Sequence, residues 1–305
     1  MTRVNVENSR KSLDPQTLAN IQGLRLRARH IVEGYVAGLH RSPYHGFSIE
    51  FAEHREYVPG DDLRYLDWKA LARTDKLSLK RYEDETNLIA YMVLDVSESM
   101  QYRGPGGALS KLEYAQCMAA SLAWLILRQQ DAVSLVTFDE QVQTFLRPAS
   151  HPAHLQQLVD IMESAQSGRK TSMGPVFHDL AERFSKRGVV MVLSDLFDEP
   201  SKLVAGLKHF RHRQHDVIVF HVLDPAELEF PFDQPTMFQG LEQLPEVVTD
   251  PRALRRAYLK EFDDYLKQMG QQCLAAGLDY QQIRTDAPMD VTLFNYLKNR
   301  SKQVR

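Results

Sequence analysis

Short, continuous apolar runs appear in the second part of the chain, beginning at Ile89. Four of them are IAYMVLD from Ile89, AVSLVTF from Ala132, GVVMVLSD from Gly188 and VIVFHVLD from Val217. Runs of this length without polar alternation are typical of strands that are covered on both faces. Longer segments with helical signals separate these runs, so the pattern predicts a parallel sheet with helices on both faces.

Capping residues indicate where the helices between the strands begin. Ser110 and Glu113 form a capping box that predicts a helix to about Gln129. Further helix starts are predicted near Ser150 and Pro152, near Pro175, at about Ser201, at Asp250 and Pro251, and at Asp290. Val142–Leu146 is predicted as an edge strand, and LDYQQIR at 278–284 as the last strand. The predicted fold class is therefore a doubly wound, mostly parallel α/β sheet of Rossmann type.

The residues before Ile89 have a different pattern. Asp14 and Pro15 mark a helix start, and the apolar residues that follow recur at helical spacing, which predicts one long helix: Leu18, Ile21, Leu24, Ala28, Ile31 and Tyr35. Segments 47–53 and 77–82 alternate like strands around a turn at 59–62. We therefore expect residues 1–87 to form a helix plus a small antiparallel β subdomain, and residues 88–305 to form the α/β domain, with a hairpin insert at about 225–250 across Gly240.

Composition narrows the class of protein. The chain has 43% hydrophobic and 25% charged residues, which is ordinary for a globular protein and argues against bulk disorder. A formal net charge of -3 provides no overall attraction to nucleic acid or to anionic lipid. Cys117 and Cys273 are far apart and lack the spacing of a zinc ribbon or a disulfide framework. With no apolar segment of secretory or membrane-spanning length, these features predict a cytoplasmic protein without membrane insertion.

Polar residues that follow the apolar runs are the candidate chemistry, because ligands of open α/β sheets gather beyond the carboxyl ends of the strands. Three places qualify: Asp95-Val96-Ser97-Glu98-Ser99, the loop 168–172, and Ser194-Asp195. If the strand continued past Asp95, its alternation would point Asp95, Ser97 and Ser99 to one side. Together these places offer hard oxygen ligands, which suit Mg²⁺ or Mn²⁺ in octahedral geometry, with water at the remaining vertices and one vertex for a partner's Asp or Glu carboxylate.

At these positions the chain resembles the metal-ion-dependent adhesion site (MIDAS) of von Willebrand factor A domains, which pairs D-x-S-x-S with a threonine loop and a later aspartate. The resemblance implies direct metal contacts from Ser97, Ser99 and Thr171, and contacts through water from Asp95 and Asp195. One departure concerns the threonine loop. Arg169 and Lys170 precede Thr171 where the family usually has two glycines, so Ser172 is an alternative ligand.

A longer resemblance runs from Leu13 onward and is carried by the segments 41–87, 111–139 and 215–232. These segments resemble the domain-of-unknown-function family fifty-eight. The resemblance implies a von Willebrand factor A-like fold and an association with MoxR-type AAA+ ATPases as a chaperone or assembly factor. The function expected on these grounds is a metal-dependent protein-binding module, whose partner is such an ATPase or its client.

Two other functions remain open from the residues alone. A magnesium-dependent phosphohydrolase of haloacid dehalogenase type also begins from an aspartate after the first strand, but Ser97 stands where its second aspartate would act as general acid and base. A purely structural scaffold with no metal is the other alternative. No nucleophile elbow and no P-loop is present, so we expect a binding protein that is not an enzyme.

Overall fold

The computed structural model describes residues 14–39, 55–56, 78–79, 88–165, 173–234, 236–238 and 247–303. The chain divides into two compact units, one comprising Met1–Gly38 with Leu88–Arg305 and the other comprising Leu39–Asn87. In the second unit the described residues form β1 (Arg55–Glu56) and β2 (Ser78–Leu79), which pair antiparallel. The predicted turn at 59–62 and most of the two predicted strand segments lie outside the described residues.

The first unit is built on a six-stranded sheet. Its strands are β3 (Ile89–Asp95), β4 (Ala132–Phe138), β5 (Val142–Ala149), β6 (Val189–Ser194), β7 (Asp216–Leu223) and β10 (Asp279–Arg284), in the order β10-β7-β6-β3-β4-β5. All neighbours are parallel except β5, which pairs antiparallel with β4 at the edge. Counted along the chain this is the 3-2-1-4-5-6 order of doubly wound sheets. It confirms the predicted fold class, a mostly parallel α/β sheet of the von Willebrand factor A-like, Rossmann type.

Helices cover both faces of this sheet. The helices of the described residues are α1 (Pro15–Ala19), α2 (Leu24–Leu39), α3 (Lys111–Arg128), α4 (His154–Ser164), α5 (Met173–Arg183), α6 (Pro200–His212), α7 (Pro225–Glu229), α8 (Pro251–Ala275) and α9 (Met289–Gln303), and all except α7 contribute to the core on one face or the other. Because strand side chains alternate, Met92 and Leu94 of β3 enter one core cluster, while Tyr91 and Val93 enter the other. The first cluster is closed by α1, α2, α3, α4 and α9, and the second by α5, α6 and α8.

The predicted N-terminal helix is two helices. Asp14 caps the first, accepting a hydrogen bond from the backbone N–H of Gln16 at 3.3 Å, as the sequence predicted. The helix then breaks before Gly23, whose φ of +86° favours glycine. Arg27 reaches back to the carbonyl oxygens of Ala19 and Ile21, which are left open where α1 ends.

The N-terminal helices belong to the unit of the large sheet, whereas the sequence grouped them with the small β subdomain. The reason is burial: Leu18, Ala28 and Ile31 lie in the same core cluster as Met92 and Leu94 of the central strand. Helical periodicity marks an apolar face but does not say which neighbour covers it.

The insert between β7 and α8 contains α7 and a short antiparallel pair, β8 (Thr236–Phe238) with β9 (Val247–Thr249). This pairing agrees with the predicted hairpin, although Gly240 itself lies outside the described residues. No helix among the described residues combines the length and the apolar character needed to cross a membrane.

Candidate metal centre

The candidate site lies where the winding of the sheet reverses. The connection that leaves β3 leads to β4 on one side, whereas β6 lies on the other side of β3 and leads on to β7. Such a switch point leaves a crevice beyond the carboxyl ends of the two central strands. Asp95 is the last residue of β3, Ser194 is the last residue of β6, and Asp195 follows it.

A tight turn after β3 brings the two serines together. The backbone N–H of Ser97 donates to Asp95 Oδ1 at 2.9 Å, which is an Asx turn, and a 3₁₀ helix then runs over Glu98–Gln101. The hydroxyl oxygens of Ser97 and Ser99 lie 3.0 Å apart and share a hydrogen bond. Strand alternation, the reason considered from the sequence, is therefore wrong for this segment, because the strand ends at Asp95 and the turn makes the residues converge.

Asp95 is completely buried and is held on both carboxylate oxygens. Besides the Ser97 N–H on Oδ1, its Oδ2 accepts a hydrogen bond from the Ser194 hydroxyl at 2.6 Å. Ser194 in turn accepts from the backbone N–H of Leu196 at 2.9 Å. Burial and then the neighbouring charge of Asp195 raise the pKa of Asp95 to about 7, against the lowering effect of these hydrogen bonds. Two carboxylates thus share a buried site, and nearby positive charge would favour their ionised forms.

Asp195 has a cation beside it already. The Lys111 ammonium donates to Asp195 Oδ2 at 2.7 Å and to Glu227 Oε1 at 2.7 Å, and Lys111 is only 2% exposed. Burial is the largest single influence on Asp195 and opposes its ionised form, but the charge and the hydrogen bond of Lys111, with smaller contributions, together outweigh burial and lower the pKa of Asp195. A hydrogen bond from Ser99 acts in the same direction and joins Asp195 to the serine pair.

The far side of this ion pair is fixed by the start of α7. Asp224 and Glu227 form a capping box, in which Glu227 Oε2 accepts from the Asp224 backbone N–H at 2.8 Å. Asp224 Oδ2 also accepts from the backbone N–H of Gly104 at 3.1 Å. This bond ties the loop that follows the serine-bearing 3₁₀ helix to the start of α7. The start of α7 also holds Lys111, through Glu227.

The loop after Asp195 has an unusual backbone. Leu196 is buried with a φ of 53°, a left-handed conformation that is strained for leucine, and the Tyr265 hydroxyl donates to its carbonyl oxygen. This conformation turns Phe197 outward, where 58% of it is exposed. An exposed aromatic ring therefore stands two residues from the candidate ligand Asp195.

Thr171, together with Gly168, Arg169, Lys170 and Ser172 of the same loop, lies outside the described residues. The next described residue, Met173, has its backbone N–H bound by Asp198 Oδ2 at 3.2 Å. Its sulfur is 3.7 Å from the Ser194 hydroxyl. The threonine ligand thus stays a prediction, while the structure brings together Asp95, Ser97, Ser99 and Asp195.

Sequence reasoning missed two charged residues and one hydroxyl of this site. Ser194 was noted only as part of the strand end, and Lys111 and Glu227 were not considered. Lys111 did carry a signal, since it is the first residue of α3, where the helix dipole disfavours a positive charge. A lysine at that position needs acidic neighbours, and only the tertiary structure identifies them as Asp195 and Glu227.

The donors present fit a small divalent cation. Ligands at neighbouring vertices of an octahedron with bonds of about 2.1 Å lie about 3.0 Å apart, and the Ser97 and Ser99 hydroxyl oxygens have this separation. The two carboxylates retain lone pairs beyond the hydrogen bonds they accept. Among the described residues, no three or more His, Cys, Asp or Glu side chains are grouped so that they could hold a metal ion. A cation at this site would therefore depend on the serine hydroxyls as well as on Asp95 and Asp195.

The chain is similar to known proteins in sequence and, over part of its length, to solved structures. An uncharacterized protein of Mycobacterium tuberculosis is 24% identical over 295 residues, which cover 95% of this chain and 91% of that protein. Among solved structures, the conserved hypothetical protein BatB from Bacteroides thetaiotaomicron aligns over 70% of this chain and 99% of its own, with 16% identity and a TM-score of 0.48. The SpRpn10 VWA domain aligns over 68% of this chain and 93% of its own, with 10% identity and a TM-score of 0.36.

The assignment of the fold rests on the order and directions of the six strands in this chain. Family membership rests on sequence, because the family model described as "Protein of unknown function DUF58" matches residues 53–267, more than half of the chain. That match spans β3 to β7 and includes Asp95, Ser97, Ser99, Lys111, Asp195 and Glu227. The chain belongs to the DUF58 family.

Proposed function

We propose that this protein is a metal-dependent protein-binding module that acts in the cytoplasm. In this proposal Mg²⁺, or Mn²⁺, binds a MIDAS-type site at Asp95, Ser97, Ser99 and Asp195, with Thr171 as a further ligand. The last vertex takes an Asp or Glu carboxylate of a protein partner. The partner is a MoxR-type AAA+ ATPase or its client, and any work driven by nucleotide hydrolysis belongs to that ATPase.

The observation that carries the proposal is the convergence of four oxygen-bearing side chains at the switch point. Ser97 and Ser99 lie at the separation of neighbouring octahedral ligands, and the two aspartates are buried beside them. Placing two carboxylates in one buried site is unfavourable without positive charge. One ammonium, that of Lys111, is shared between Asp195 and Glu227, so the three carboxylates together exceed it in charge. A divalent cation would supply the balance.

The surroundings of the site favour binding over catalysis. Ser97 is buried with its hydroxyl on Ser99, and no carboxylate stands at that position to shuttle a proton. Phe197 is exposed beside Asp195 on a strained loop, and an exposed aromatic ring is a good contact for a protein surface. A partner acid that coordinates the metal would lie next to this ring.

Metal binding is tested by calorimetry and by thermal melting with and without Mg²⁺. A cation that binds only the folded state stabilises it by about 2.7 kcal/mol at one hundred times its dissociation constant. We expect Mg²⁺ to raise Tm and EDTA to reverse the change, and we expect Asp95→Asn to abolish both effects. Asp139→Asn is the matched control. Asp139 is also buried after a strand of this sheet, but its carboxylate is held by Gln143.

The partner is tested by affinity purification with wild-type and Asp95→Ala baits, each with and without EDTA. A MoxR-type ATPase or its client should be retained by the wild-type protein alone and only without EDTA. Retention that survives both EDTA and the substitution would contradict a metal-bridged contact. An absence of Mg²⁺ and Mn²⁺ binding up to millimolar concentration, in the wild type and in the variants Lys111→Met and Glu227→Gln alike, would favour the scaffold alternative, and turnover of generic phosphate esters would favour the phosphohydrolase.

A further inference from the structure

Lys111 is a buried cation inside a site whose other charged groups are acids. Its ammonium lies 2.7 Å from Asp195 Oδ2 and 2.7 Å from Glu227 Oε1, and the Tyr102 ring faces it with the centroid 5.7 Å from Nζ. The position is set by the fold, because Lys111 opens α3 directly after the Ser110 cap. The positive charge of this ammonium therefore influences the binding of any ligand at Asp195.

A metal ion and the Lys111 ammonium would compete for the same carboxylate. Two cations that share one buried acid repel each other strongly, since Lys111 and Asp195 are both buried and solvent screens buried charges only weakly. Glu227 weakens this competition, because it accepts one of the ammonium's hydrogen bonds and so takes part of its charge. The affinity of the site for metal should therefore depend on the relative strengths of the two ion pairs that Lys111 forms, with Asp195 and with Glu227.

Glu227 can keep its hydrogen bond to the Lys111 ammonium when Asp195 binds a metal ion. Its other oxygen caps the backbone N–H of Asp224, which in turn binds the backbone N–H of Gly104. Thr285 also donates to Asp224, at 3.3 Å. These bonds fix the Glu227 carboxylate at the start of α7, so Lys111 has a prepared partner that does not need to move.

We propose that Lys111 is an internal competitor that sets the metal affinity of this site, with Glu227 as the residue that draws its charge away from Asp195. The inference deepens the proposed function and rests on it. Lys111 keeps Asp195 partly neutralised before metal binds, so metal alone binds weakly. The negative charge of a partner carboxylate at the open vertex then offsets the repulsion between metal and ammonium, and metal and partner bind together.

The two members of the Lys111–Glu227 pair should have opposite effects on metal affinity. Lys111→Met removes the competitor at similar side-chain length and is expected to tighten Mg²⁺ binding at least about tenfold. Glu227→Gln removes the charge that draws the ammonium away and is expected to weaken Mg²⁺ binding several-fold. A merely structural role predicts weaker binding in both variants, so changes in the same direction would overturn the proposal.

The measurement is calorimetric titration of the full-length protein with Mg²⁺, repeated with Mn²⁺, and circular dichroism checks the fold of each variant. Lys267→Met is the matched control, because Lys267 pairs with Asp263 at the surface, and its metal affinity should equal that of the wild type. If Lys111→Met fails to fold, the double variant Lys111→Met/Glu227→Gln carries the test, since it also removes the Glu227 charge that Lys111→Met alone would leave without its partner. It should bind Mg²⁺ more tightly than both the wild type and Glu227→Gln, and equal or weaker binding would overturn the proposal.

Failure of the proposed function gives a different result. Absence of metal binding in the wild type and in every variant would contradict the proposed metal site, and with it the proposed competition by Lys111. Binding by Lys111→Met but not by the wild type would support the competitor role.

Discussion

At the scale of single residues, two glycines mark places where backbone and side chains approach too closely for a Cβ atom. A Cβ on Gly188 would lie 2.2 Å from the carbonyl oxygen of Ile89, beside the central strand. A Cβ on Gly104 would lie 2.3 Å from Asp224 Oδ1 and 2.7 Å from the Ala226 Cβ. Gly104 is thus needed for the contact that ties the serine-bearing loop to α7.

We predict that Gly104→Ala separates this loop from α7 and costs about 1–3 kcal/mol of stability, as overpacking does. Mg²⁺ affinity should change as well, because Asp224 supports Glu227. The measurements are the urea midpoint and the calorimetric titration. Gly270→Ala is the control. Gly270 lies inside α8, the added Cβ would meet Tyr280 of β10 at an ordinary 3.5 Å, and alanine should stabilise the helix by about 0.5–1 kcal/mol. An unchanged urea midpoint for Gly104→Ala would contradict the close packing.

At the scale of elements, α3, α6 and α8 end in the same way. In each, two backbone hydrogen bonds close a Schellman motif, as in Asp131 N–H to Ile126 O at 3.3 Å and Gln130 N–H to Leu127 O at 3.1 Å. The residue in the left-handed conformation is Gly277 after α8, but Gln130 after α3 and Gln214 after α6, each glutamine with a φ of 63°. Two helix ends therefore carry conformational strain that glycine would remove.

We predict that Gln130→Gly and Gln214→Gly each stabilise the protein by roughly 0.5–1 kcal/mol, because glycine adopts positive φ without steric cost. Chemical denaturation measures the gain. Gln129→Gly tests the reason, since Gln129 precedes the left-handed position with a φ of -86° and should give no increase. A gain for Gln129→Gly equal to that for Gln130→Gly would mean that strain is not the cause.

At the scale of the whole molecule, the sheet unit is a three-layer structure with one core cluster on each face. The N-terminal helices contribute to one of these clusters, although more than forty residues of sequence separate them from β3. Residues of α2 therefore stabilise the same sheet that carries the candidate metal centre.

We predict that Ile31→Ala lowers the free energy of unfolding by about 2–4 kcal/mol, because Ile31 is 0% exposed in the core of the sheet unit. Leu26→Ala on the same helix is the matched control, since Leu26 is 49% exposed and its loss should cost within about 0.5 kcal/mol. Equal costs for the two variants, measured by urea denaturation, would refute the packing of α2 against the core of the sheet.

Local features of the chain were sufficient to predict most elements of the large sheet. Continuous apolar runs predicted β3, β4, β6 and β7, and the Ser110 capping box predicted the start of α3. These signals depend on backbone conformation and on burial, which neighbouring residues determine. The same reasoning predicted that Asp95 and Asp195 lie at one edge of the sheet, because parallel strands end together.

Other features were decided by contacts between distant parts of the chain. The break at Gly23 and the placement of α1 and α2 depend on which surface covers them, and helical periodicity carries no such information. The ammonium of Lys111 meets Asp195 and Glu227 across 84 and 116 residues of sequence, so no local pattern identifies its partners. The sequence by itself determined most strands of the large sheet, several helix caps and the acidic and hydroxyl residues that are the candidate ligands. Only the tertiary structure decided the charge balance around them, because charges separated in sequence act on one another through space.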